Sequence, residues 1–114
     1  MLNSKEKSLD RLWSKLVRRR DGMCVVPLCP NRFRLEAAHI RPRRHRSTRW
    51  DLDNGLTLCH MHHKRFTQEP IQWTLFVEFL KGKDFFAKLA QKSAEILKYQ
   101  DFDEIKARLE RQAK

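Results

Sequence analysis

The chain has 114 residues, one domain's worth, enough for a small core of the kind that often needs a staple. Its 25 Lys and Arg against 14 Asp and Glu give a formal net charge of +11, which points to a polyanionic partner. Three cysteines are an odd count, MLNSKEKSLD carries no signal peptide, and no long apolar run occurs. These features argue against a secreted disulfide framework and a membrane span, and they suit a reducing cytoplasm.

In chain order, Leu9, Leu12, Trp13, Leu16 and Val17 fall on one helical stripe and predict an amphipathic helix over about 8–20, ended by Asp21-Gly22. Residues 23–40, with Pro27 and Pro30, read as a turn-rich ribbon followed by a strand, FRLEAAHI. The loop RPRRHRSTRW (41–50) holds Arg41, Arg43, Arg44, Arg46 and Arg49. Guanidinium forks suit phosphate oxygens, so these five are candidate nucleic-acid contacts, with Trp50 anchoring the loop. DNG (53–55) marks a turn, LTL a short strand, and a helix is expected from Cys59 to about Gln68. Pro70 suits the first position of another helix, IQWTLFVEFL, whose apolar residues lie on nearly every side and predict deep burial. Gly82 ends it. Asp84 is a candidate cap for a helix carrying Phe86, Leu89, Ala90, Ile96 and Leu97. Asp101 with Glu104 resembles a capping box for a last helix with Ile105 and Leu109.

Cys24 and Cys29 form a C-x4-C pair, and Cys59 with His62 forms C-x2-H thirty residues on. Two close pairs across a long insert are the arithmetic of a tetrahedral structural Zn²⁺ site. If Cys59 opens a helix, His62 and His63 both lie beside it, but adjacent helical residues point about 100° apart. One of the two completes the zinc site and the other faces elsewhere; local geometry leaves the choice open. His60 points away from both and reads as a surface or phosphate-contacting residue.

AHI (38–40), DNGLTLC (53–59) and HH (62–63), in that order inside two zinc half-sites, resemble the HNH endonuclease family, in particular its small phage and bacterial members. The likeness covers residues 24 to 66. It implies an α+β fold: a zinc-stapled ββα-metal core over 24–68, flanked by the N-terminal helix and about three C-terminal helices over 70–113, in a single domain 1–114. It implies His39 as the general base, Asn54 as the middle residue that orients base or metal, and His63 as ligand of a catalytic divalent ion, Mg²⁺ or Mn²⁺. Family members usually read LCxxCH where this chain reads LCHMHH, which assigns His62 to the zinc. The family's reaction leaves a 5′ phosphate and a 3′ hydroxyl. Where many members carry Asp or His before the base, this chain has Ala38. Glu36, on the same strand face by alternation, and His45 in the loop are candidates to replace that ligand.

The activity so implied is metal-dependent hydrolysis of DNA, in the cytoplasm of a bacterium or a phage-infected cell. Imidazole, with an unperturbed pKa near 6.5, is a fitting base for such a reaction. A non-catalytic zinc-containing DNA-binding module is the alternative, with Ala38 as its argument, and an RNA-directed protein is a third reading. The C-terminal helices could cover the core or serve as a homodimer or protein-partner face.

Overall fold

A computed structural model describes residues 3–113; residues 1, 2 and 114, the ends of the expected single domain, lie outside the described part. The order is α1 (Ser4–Asp21), β1 (Leu35–His39), a 3-10 turn (Leu52–Asn54), β2 (Gly55–Cys59), α2 (His60–Gln68), α3 (Pro70–Lys81), α4 (Lys83–Ser93) and α5 (Phe102–Gln112). This is an α+β architecture built on one two-stranded ribbon.

Helix α1 starts a turn earlier than its apolar stripe suggests. Asn3 accepts from the Glu6 amide and Glu6 reaches back to the Asn3 amide, a capping box that polar residues supply. Its end comes at Gly22, in the left-handed region at φ 71. Strands β1 and β2 pair antiparallel, with Leu35 opposite Cys59, Ala37 opposite Thr57 and His39 opposite Gly55. The strand is shorter than FRLEAAHI. Arg34 at φ 53 breaks the extended run before it, and Ile40, past its end, donates to the Asn54 carbonyl.

Alternation gives the ribbon two unlike faces. Ala37, His39, Gly55 and Thr57 turn toward α1, where Leu9, Trp13, Leu16 and Val17 join Trp50 and the α5 residues Ile105 and Leu109 in the largest apolar cluster. Gly55 is required by close approach: a Cβ there would stand 2.6 Å from Trp13 Cζ2 and 2.8 Å from Val17 Cγ2. Glu36, Ala38, Leu56 and Leu58 turn the other way, toward α2 and α3.

Three expectations for the C-terminal part are corrected. Helix α3 is not deeply buried: only Val77 is fully enclosed, while Ile71, Leu75 and Phe79 stand outward, the first and last each 76% exposed. Helix α4, Phe66 of α2 and the ribbon end cover one side of it, leaving the rest of an all-round apolar helix in solvent. Asp84 does not cap α4; Gly82 holds that position and Asp84 sits in the first turn. Helix α4 ends at Ser93, so Ile96 and Leu97 fall in the exposed connection to α5. Asp101 does cap α5, accepting from the Glu104 amide.

Candidate active site and metal centre

The C-x4-C half-site is a tight turn. Cys29 donates its amide to the Val26 carbonyl at 3.0 Å, with Pro27 and the outward Leu28 between them, Leu28 in the left-handed region at φ 68. The other half-site is the junction of β2 and α2, where Cys59 ends the strand and stands at the helix N-cap. Donor atoms of Cys24, Cys29, Cys59 and His62 lie within 4.8 Å of one another. His62 Nδ1 is 3.4 Å from Cys24 Sγ and 3.2 Å from Cys59 Sγ. A tetrahedral ion with Zn–S and Zn–N bonds of ordinary length has S···N edges of about 3.5 Å, so the set fits such an ion. Burial pushes the Cys24 thiol up to about 11. A cation bound by its sulfur would reverse that, because a coordinated thiol is deprotonated.

His62 and His63 diverge as the helix pitch requires. His63 Nδ1 donates to Glu36 Oε1 at 2.7 Å. A carboxylate accepts and does not donate, so a proton sits on Nδ1, and the neutral imidazole has its lone pair on Nε2. His60, expected to face away alone, shares that partner: its Nδ1 donates to Glu36 Oε2 at 3.0 Å. The His60 hydrogen bond, with that of His63, holds the Glu36 carboxyl below the usual range despite partial burial. Glu36 thus bridges the two histidines from two residues before Ala38 on the same strand face, and Ala38 offers no ligand atom.

His39, at the end of β1, lies flat against Trp13, with ring centroids 3.9 Å apart and planes 9° from parallel. Its Nε2 donates to the Arg49 carbonyl at 3.1 Å. Since a carbonyl can only accept, Nε2 carries the proton and Nδ1 the lone pair. Burial pushes the imidazole down to about 4, against the upward pull of the Arg49 carbonyl and Asp10. His39 and His63 both line one cleft of about 190 Å³, with Ala38, Pro42, Phe66 and Trp73 among its other walls. The His39 ring stacks on the α1 side of the ribbon, whereas His63 projects from α2.

Asn54 lies fully buried beneath the loop. Its Oδ1 accepts from the Arg41 amide at 2.7 Å, and its Nδ2 donates to the carbonyls of Arg41 and Thr48. It closes the Arg-rich segment into a loop of set shape and does not project into the cleft by itself.

The five loop arginines divide. Arg49 is 5% exposed and forks onto both Asp10 oxygens, at 3.0 and 2.7 Å. Arg46 pairs with Glu6 and Gln100, and Arg41 donates to Ser93 Oγ. Arg46 and Arg49 also flank the Trp50 ring. Of the five candidate nucleic-acid contacts, Arg46 and Arg49 are paired with acidic groups of α1. Arg43 and Arg44 stay exposed beside Pro42 of the cleft. Sequence reasoning missed Asp10 and Trp13 as neighbours of the site, because an amphipathic stripe does not say which strand residue it covers.

No helix among the described residues is long and apolar enough to cross a membrane. Neither the curated proteins nor the solved structures gave a match to this chain. The model of the HNH endonuclease family matches residues 24–71, a span that takes in the Cys3His group, His39, Asn54 and His63, and it is this segment that is similar to the HNH endonuclease family.

Proposed function

We propose that the protein is a metal-dependent endonuclease that hydrolyses phosphodiester bonds in DNA. His39 is the general base, His63 the ligand of a catalytic divalent ion, and Asn54 the brace of the loop between them. Cys24, Cys29, Cys59 and His62 hold a structural zinc, and residues 1–114 act as one domain. The observation that carries this reading is the cleft shared by His39 and His63 inside the matched segment.

The chemistry follows from the two protonation patterns. His39 Nδ1 is the free lone pair, and it takes the proton of a water approaching phosphorus. His63 Nε2, with Nδ1 held by Glu36, is the nitrogen left for the ion, in the manner of a carboxylate-oriented ligand. When bound, Mg²⁺ or Mn²⁺ would supply positive charge to the phosphate and the departing 3′ oxygen. In-line displacement needs the proton acceptor and the leaving-group side on opposite sides of phosphorus. In this reading His39 stands on the side of the attacking water and the ion held by His63 on the side of the departing oxygen. A pKa of about 4 makes His39 a weak acceptor in the free protein, and a phosphate seated beside it would raise that value.

Arg43 and Arg44 grip the phosphate backbone, so binding weakens steeply with salt. Cysteines used as ion ligands and not as disulfides suit a reducing, cytoplasmic setting. Any homodimer or protein partner has the outward stripe of α3, Ile71, Leu75 and Phe79, as its available apolar surface.

The second reading, a zinc-containing DNA-binding module without catalysis, is favoured by Ala38. A supercoiled-plasmid assay with Mg²⁺ or Mn²⁺ separates the two. Wild type nicks and a folded, zinc-loaded His39→Ala does not, by a factor of about 10² to 10⁴. DNA binding with no cleavage under any metal would move the assignment to the binding module.

A further inference from the structure

Two groups fix the His39 imidazole, and both lead out of the matched segment into α1. The first is the Trp13 ring, stacked on its face. That ring is itself locked: Nε1 donates to the Asp51 carbonyl at 2.8 Å, and the missing side chain of Gly55, directly across the ribbon from His39, leaves the space it fills. The second is the Arg49 carbonyl, which accepts from His39 Nε2 and so decides which nitrogen carries the proton. The chain around this carbonyl is held by Asp10. Its Oδ1 accepts from Arg49 Nε and from Trp50 Nε1, the latter at 2.8 Å, and its Oδ2 accepts from Arg49 Nη2. One carboxylate one helical turn from Trp13 therefore sets two consecutive loop residues. Hydrogen bonds from Arg49 and Trp50 outweigh the burial that pushes the Asp10 carboxyl up and hold it below its ordinary range, so it stays charged at neutral pH.

We propose that α1 is the positioning element of the base: Trp13 holds the plane of the His39 ring, and Asp10, through the Arg49 carbonyl, holds its proton on Nε2 and its lone pair toward the cleft. The inference rests on the reading of His39 as general base. Asp10 and Trp13 are then positioning residues, and the matched segment without α1 is an incomplete active site. The isolated packing role would need only an apolar surface at these places. A carboxylate that anchors the side chains of the two loop residues beside the base, and a ring parallel to the imidazole, are more than packing requires.

The test uses the full zinc-loaded chain and two readouts. One is the tautomer of His39 in the DNA-free protein, from long-range ¹⁵N–¹H correlation of the imidazole. The other is kcat and KM for plasmid nicking. Wild type holds His39 as the Nε2–H tautomer. Asp10→Asn and Trp13→Leu mix the tautomers and lower kcat about tenfold or more, with KM for DNA unchanged, since a small misplacement of a reacting group is that costly. Trp13→Phe, which restores a flat ring, recovers most of the rate. Should Asp10→Asn fold poorly, with the Arg49 charge left unpaired, the double variant Asp10→Asn/Arg49→Met removes that charge and still mixes the tautomers. An unchanged tautomer and a kcat within twofold in folded Asp10 and Trp13 variants would overturn the proposal. A wild type that never nicks would overturn the nuclease reading, and the tautomer readout would still decide whether α1 sets the His39 proton.

Discussion

The two faces of the β1–β2 ribbon are held by different physics. Toward α1 the contacts are large and apolar: Trp13, Val17, Trp50 and Leu109 are each 2% exposed or less, and burial of this kind stabilises in proportion to area removed from water. Toward α2 the cluster is smaller, Cys24, Cys29, Ala38, Leu58 and Cys59, and three of those five residues belong to the Cys3His group. One face is held by a large buried apolar surface, while the other also carries a donor set that could join chain segments thirty residues apart through an ion. The division also sorts the candidate chemistry. The histidine that is enclosed, with one nitrogen fixed, stands on the apolar face; the histidines that stay half-exposed around a carboxylate stand on the metal face.

Removing the metal is the strongest way to break that contrast. Chelation, or Cys59→Ser, is expected to abolish cooperative melting of the ribbon and α2, because closing the loop from Cys29 to Cys59 is what the ligand bonds accomplish. Circular dichroism and a thermal melt check this, and an unchanged melt in the metal-free protein would mean the second face folds by packing alone.

Acid attacks the first face instead. His39 has a folded pKa of about 4 against about 6.5 unfolded, so between those values the unfolded chain binds more protons and stability rises with pH. The contribution is complete above about pH 6.5 and is lost as pH falls toward 4, on the order of 2–3 kcal/mol. Asp10, with its depressed carboxyl, adds a loss at still lower pH. Melts of wild type and His39→Gln across this window should differ in slope, the variant being flatter. Parallel curves would show that the His39 environment is not what the burial implies.

The smallest effect belongs to α3. Phe79→Ser is expected to change stability by no more than about 0.5 kcal/mol, since the side chain is 76% exposed. A loss of several kcal/mol, the ordinary cost of truncating a buried aromatic, would restore α3 to the core.

Much of the molecule was legible in residue order. The α1 stripe, the strand pair around Asn54-Gly55, the helix after Cys59 and the Asp101 cap follow from local period and capping chemistry, which neighbours in sequence determine. The burial of α3 was not, because an all-round apolar helix states only that it could be covered, and the area available to cover it depends on the other elements. Nor was the division of the arginines: Arg43 and Arg49 look alike in RPRRHRSTRW, and only Asp10, 39 residues before Arg49, separates them.

The sequence by itself determined the two half-sites of the candidate metal centre, Cys24 with Cys29 and Cys59 with one of His62 and His63, because spacing along a turn or helix restricts which side chains can meet locally. Only the tertiary structure decided the protonation of the two cleft histidines. Each depends on an acceptor brought from elsewhere, the Arg49 carbonyl for His39 and the Glu36 carboxylate for His63. A proton's position on an imidazole is set by the atom across from it, and that atom is fixed by the fold.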